Sequence, residues 1–311
     1  MEIAARLEPP AVATGWTDAD AQILERLRAA RSPLVLAGPG VVLEGAIAGL
    51  HAFAVAGDVG VLNTWGAKGV FDWRSRHHLA TVGLQARDAE LAGVGECDLL
   101  VCTGVDDLEA DPALWRTGPC VEVPPSMLAP LAEAWRRPAS DLSMPPLRDR
   151  LAAATQAGWA ATGSPLAPSQ ATRNYGEIVG TGGTVSADPG LPGFWVARTL
   201  GTTRPRAVHV PAEAEAAGFA LACAAEAKRR WPDRPALAVI GELVAGTELP
   251  PGVAVEVWAD DGDRLDAEEH AARLATLVRT GGVVRLATRP DQLAVMVEVA
   301  GDVTAWGGAQ V

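Results

Sequence analysis

Apolar residues recur along this chain in two alternating periods. Short, largely apolar runs at 34–37, 59–62, 99–102, 236–240 and 253–258 read as buried strands. Helical patterns lie between them. Ile23, Leu24, Leu27 and Ala30 share one face of a helix that Thr17 caps, with Asp20 three residues on as its box partner. Pro33 ends that helix, and Gly38-Pro39-Gly40 turns the following strand into a second helix carrying Ile47, Leu50 and Phe53. Residues 147–159 are helical, Ser169 to Thr172 opens another helix, and an alanine-rich stretch predicts a helix over 212–230. Residues 244–252 hold Gly246, Pro250 and Pro251 and read as a loop.

Strands alternating with helices predict an α/β fold: two domains, each a mainly parallel sheet flanked by helices. The boundary falls in Gly163-Ser164-Pro165-Leu166-Ala167-Pro168. The expected division is a leader over 1–15, a first domain over 16–163 and a second over 164–311.

A length of 311 residues suffices for two cores, and 49% hydrophobic with 21% charged residues fits a globular protein. A formal net charge of −12 argues against nucleic acid and against an anionic membrane surface. The start lacks a signal-peptide layout and no apolar run reaches spanning length, so the cytoplasm is expected. The 4 cysteines, Cys97, Cys102, Cys120 and Cys223, lack metal spacing and read as buried free thiols. His77-His78, with Asp72 and Arg74, lacks the carboxylate support that a zinc ligand or a base needs. The ten tryptophans read as packing.

Several ordered pieces carry a family resemblance. They are Ser-Pro-Leu-Val-Leu-Ala-Gly-Pro-Gly at 32–40, Val-Leu-Asn-Thr-Trp-Gly-Ala-Lys-Gly at 61–69, Gly83-Leu84, Asp88 to Leu91, and Cys97 to Leu100 running to Gly104. Together they resemble the central domain of thiamin-diphosphate enzymes of the acetolactate synthase and decarboxylase superfamily. The stretch 185–261 resembles the diphosphate-binding domain of the same enzymes, with Asp188-Pro189-Gly190, Gly218 and Gly241-Glu242-Leu243 in order. The resemblance implies three domains, of which the pyrimidine-binding one, with its activating glutamate, has no counterpart here. The first residues are similar to the last strand of that domain, so the chain is expected to start where a domain was removed or a gene split.

The resemblance also implies a cofactor, thiamin diphosphate with magnesium, held by Gly-Asp-Gly where this chain reads Gly241-Glu242-Leu243. Glutamate is one methylene too long for a ligand that demands near-octahedral geometry. Leu243 also denies the close backbone approach of a glycine. Glu242 with Asp260 or Asp261 remains as a remnant metal site, against a reading of all three as surface carboxylates. Asp188 and Gly190 keep the family's Asp-x-Gly, with a helix cap as the alternative. Ala217 before Gly218 replaces the bulky residue that props the cofactor. In the central domain, Gly38 and Gly40 with Thr103 and Gly104 are the candidates for a nucleotide or FAD, or for a tight turn alone.

No catalytic residue is expected. The function implied is that of a non-catalytic thiamin-diphosphate enzyme homologue: a pseudoenzyme or partner subunit, with no cofactor bound by the isolated chain. The alternatives are half of a split carboligase or decarboxylase needing a separate pyrimidine-binding chain, and a nucleotide or small-acid binding module. A homodimer, or a complex with an acetolactate synthase-like or pyrimidine-domain protein, is expected across the alanine-rich helix.

Overall fold

The structure, a computed structural model, describes residues 16–139, 142 and 144–308; the expected leader segment lies outside the described residues. The first half runs α1 (Asp18–Ala29), β1 (Pro33–Ala37), α2 (Gly40–Leu43), α3 (Ile47–Gly57), β2 (Gly60–Thr64) and β3 (His78–Val82). It continues with α4 (Asp88–Leu91), β4 (Leu99–Thr103), α5 (Pro112–Trp115), β5 (Cys120–Glu122), α6 (Leu128–Ala134) and α7 (Pro146–Ala160). The second half runs α8 (Pro168–Gly180), β6 (Thr184–Ala187), α9 (Leu191–Thr199), β7 (Val208–His209) and α10 (Phe219–Arg230). It closes with β8 (Ala236–Ile240), β9 (Ala254–Asp263), α11 (Ala267–Thr280), β10 (Gly282–Leu286) and α12 (Asp291–Ala300).

Each half forms a five-stranded parallel sheet, in the orders β3-β2-β1-β4-β5 and β10-β9-β8-β6-β7. The α/β fold expected from the sequence is therefore present. Strand order reverses between β1 and β4 in one sheet and between β6 and β8 in the other, where such sheets open a crevice. β2, β4 and β8 are buried along their whole length, because helices cover both faces.

Local signals act where the sequence places them. The Thr17 hydroxyl accepts the Asp20 N–H at 3.2 Å, and the Asp20 carboxylate accepts the Thr17 N–H at 2.9 Å. This capping box satisfies two amides that the first turn of α1 leaves without helical partners. The second expected helix is broken in two, because Gly45 takes a left-handed φ of 71° between α2 and α3.

Three expectations are corrected. The helix predicted over 212–230 begins only at Phe219. Gly218 holds φ at 84°, and residues 212–218 form turns before it. His78, which the family resemblance put in the loop after the second strand, is the first residue of β3, and pairing to β2 overrides its weak strand propensity. β9 does not end at Trp258 but runs through Asp260 and Asp261 to Asp263, bent by an irregularity opposite Arg285 and Leu286 of β10.

One continuous apolar core joins the halves, running from Leu62 and Leu84 through Leu147 of α7 to Trp195, Leu237 and Met296. α7 packs on α8 and α12. The end of the chain also clasps the first half: Gln85 Nε2 donates to Met296 O at 2.8 Å and to Gly301 O at 2.7 Å. The Trp65 and Trp306 indoles both donate to Pro211 O, at 2.9 and 3.0 Å. The two sheets are thus packed against each other through a shared core.

Candidate functional site

The crevice of the first sheet gathers all four residues singled out there. β1 ends in Gly38-Pro39-Gly40 and β4 in Thr103-Gly104. The Gly38 N–H donates to Thr103 O at 2.9 Å and the Gly40 N–H to Gly104 O at 2.8 Å. A Cβ on Gly38 would stand 2.3 Å from Gly104 O, and one on Gly40 2.7 Å from Gly104 Cα. These glycines permit two loops to pack backbone against backbone. Their amides are committed to carbonyls, and α2 has only 4 residues, so no set of free amides faces a phosphate. The buried Thr103 hydroxyl is left without a partner among the described residues.

The crevice of the second sheet is closed differently. Asp188 follows β6, and its N–H donates to Val239 O of β8 at 3.1 Å. Its carboxylate crosses to the start of α10, accepting the Gly218 N–H at 3.1 Å and the Ala220 N–H at 2.7 Å. The chain thus supplies its own anion to the amides and positive end of that helix. Burial pushes the Asp188 carboxyl above its ordinary value, against the lowering effect of the Ala220 and Gly218 amides. Gly190, at φ 89°, lets the chain turn from Asp188 into α9, and Gly218, at φ 84°, does the same before α10.

The remaining candidates follow β8 or lie on β9. Gly241 is exposed with open space where a Cβ would be, and Glu242 is exposed beside it. No helix follows the turn before β9, as the sequence led one to expect. Asp260 and Asp261 are exposed on β9, and Asp261 is ion-paired with Arg285. Among the described residues, the group of three ligand atoms close enough to share a metal is Cys102, Cys120 and Glu122, and none of Glu242, Asp260 and Asp261 is in it. Tested against thiamin diphosphate with Mg²⁺, the side chains here do not fit. A carboxylate occupies the helix start, and Glu242, Asp260 and Asp261 are exposed, with Asp261 paired to Arg285.

Two buried polar clusters went unread in the sequence. Glu256, fully buried on β9, accepts from the Tyr175 hydroxyl and from Trp258 Nε1 at 2.9 Å, and lies 2.9 Å from His270 Nε2. Burial pushes its carboxyl up. The His270 charge and the hydrogen bonds from His270, Tyr175 and Trp258 outweigh this and hold it below the ordinary range. Asn174 closes the cluster at 2.9 Å from His270 Nδ1. All partners are satisfied within the core, which marks a packing device.

The second cluster lines a cavity of about 220 Å³ between β3, α7 and α9. Arg198 there is bound by Asp88, whose two oxygens take Nη2 at 2.9 and 2.8 Å, and by Thr81 O at 2.9 Å. Lys68 stands beside it, buried, with one hydrogen bond of 3.5 Å to the Thr81 hydroxyl. A signal for Lys68 exists in the sequence: it is one of two lysines in the chain, the other being Lys228, and it falls in an apolar context.

Residues 21–117 match the family model described as thiamine pyrophosphate enzyme, central domain. The chain matches no curated protein. The matched stretch runs from within α1 past α5 and covers the first four strands of the first sheet.

Proposed function

We propose that this chain, whose residues 21–117 match the model of the thiamine pyrophosphate enzyme central domain, is a non-catalytic homologue of those enzymes that acts in the cytoplasm as a partner or regulatory subunit. The observation that carries the reading is the Asp188 carboxylate seated on the Gly218 and Ala220 amides. A diphosphate brought to that helix start would meet a buried negative charge instead of free donors. Like charges a few ångströms apart repel strongly where water is excluded. The turn at Gly241-Glu242-Leu243 adds to this, since it offers no following helix to hold an anion.

The relation to acetolactate synthase-like lyases rests on the resemblance of the second half, and the partner on the same ground: a second copy of this chain or a pyrimidine-domain protein. The alanine-rich helix supports that assembly less than its composition suggests. Ala220, Ala224 and Ala227 are buried against the chain's own β8 and β9, while Glu226 and Arg229 pair on the outer face. The test is catalytic. Purified chain, given thiamin diphosphate, Mg²⁺ and pyruvate, should release no carbon dioxide above the protein-free rate. Turnover by the chain alone would refute the reading.

A further inference from the structure

Lys68 is 7% exposed, and among the described residues its ammonium group has no carboxylate partner. A buried cation without a counter-charge is a costly arrangement that a methionine of similar length would avoid. The neighbouring charges aggravate it. Arg198 faces the same cavity from α9, its Nε also lacking a partner, and Arg148 faces it from α7. Asp88 of α4 is engaged through both oxygens by Arg198. Asp72, beyond His78, is ion-paired with Arg74. Burial, Lys68 and Arg148 hold the His78 imidazole down to about 4, so it is neutral at pH 7. What remains facing the cavity is an excess of positive charge.

The rest of the lining is mostly apolar, with Leu79, Leu151 and Leu200 along the wall and Trp73 and Trp159 beside them. Trp73 is 45% exposed. A dry cavity of about 150 Å³ accepts benzene, so 220 Å³ is room for a small organic molecule with one charged end. A free phosphate would leave the apolar wall unused.

We propose that this cavity binds a small organic carboxylate, with its charge held by Lys68 and Arg148 and its apolar body against Leu151 and Trp159. The inference does not rest on the loss of the diphosphate site, which lies at the other sheet's crevice. Burial first, and then the Arg198 charge, bring the Lys68 ammonium down to about 7 in the free chain. A bound carboxylate favours the protonated amine, so binding takes up a proton above that pH. Affinity is level below pH 7 and falls by up to about tenfold per pH unit above it.

The experiment is calorimetric titration of the full chain with benzoate, isobutyrate, benzamide and inorganic phosphate at pH 6.5 and pH 8.5. The proposal expects benzoate or isobutyrate to bind more tightly at pH 6.5 by about tenfold or more, with benzamide and phosphate silent. Lys68→Met should fold, since it removes a buried charge, and should lose carboxylate binding. Thermal unfolding of that variant confirms that the fold is kept, and Arg148→Gln, on a less buried side chain, should weaken binding as an independent check. Three results would each overturn the assignment: no carboxylate binding at millimolar concentration, binding of phosphate in preference to the carboxylates, or unchanged affinity in a folded Lys68→Met.

Discussion

The Asp188 carboxylate accepts the backbone N–H of Ala220 at 2.7 Å, across 32 positions of chain. This contact fixes the start of α10 to the end of β6, and it explains why the helix begins where it does. Alanine stretches propagate a helix well but do not choose its first residue. Here a remote carboxylate and the left-handed Gly218 choose it. Replacing Asp188 by alanine leaves two amides without their acceptor. The variant should lose about 1–3 kcal/mol of stability, measured by urea unfolding, with protection of the Ala220 amide against hydrogen exchange lost first.

The paired glycines predict a packing defect. A Cβ on Gly38 would overlap Gly104 O and Val105 Cα, at 2.3 and 2.4 Å, both backbone atoms that cannot rotate away. Gly38→Ala should lower stability by about 1–3 kcal/mol, as overpacking does, read as a lower urea midpoint. Gly95, with open space at the Cβ position, serves as the control. Gly95→Ala should change the midpoint little.

Glu109 predicts a pH dependence. It is buried against the Gly66 N–H, which donates to it at 3.1 Å. Burial raises its carboxyl to about 7 from an ordinary 4.5. Between those pH values the folded chain keeps a proton that the unfolded chain has released. Stability from this group therefore falls as pH rises across that window, by at most about 1.4 kcal/mol per pH unit. Glu109→Gln should flatten that slope in urea titrations from pH 4.5 to 7.5. An unchanged slope would assign it to other groups.

Cysteine reactivity should follow the thiol environments. Cys102 and Cys120 lie with sulfurs 3.4 Å apart on neighbouring strands. The two thiols share a hydrogen bond, which lowers the Cys120 value and raises that of Cys102; the Arg116 charge further lowers Cys120. Burial raises the Cys97 and Cys223 thiols. Limited alkylation at pH 7.5 with peptide mapping should therefore mark Cys120 first. Faster labelling of Cys97 or Cys223 would contradict these assignments.

The sequence made the sheet class legible because parallel strands buried on both faces leave continuous apolar runs, as in Leu99 to Cys102. β3 and β5 were not legible. His78 opens one with a polar residue, and the other spans only Cys120 to Glu122. Their pairing comes from the strands beside them. Of the candidate site, the positions of Gly38, Gly40, Thr103 and Gly104 at one crevice were readable from motif order. That their amides bond to one another was not, since that depends on how closely two distant loops approach. Asp188 was weighed as a cap, but the capped helix turned out to be α10 rather than the adjacent α9. Lys68 sat unremarked within a family motif, and its rarity, as one of two lysines, and its apolar context were the only local signals of burial.

The central claim is that the cofactor grip has been replaced by the chain's own carboxylate, and binding tests it most directly. Thiamin diphosphate should be titrated into the full chain by calorimetry at pH 7 in millimolar Mg²⁺. The account predicts no binding heat at cofactor concentrations up to the millimolar range. Loss of several charge-assisted contacts, each worth roughly 1.5–3 kcal/mol, removes the affinity by orders of magnitude. A micromolar dissociation constant, dependent on Mg²⁺ and weakened by Glu242→Ala, would contradict it.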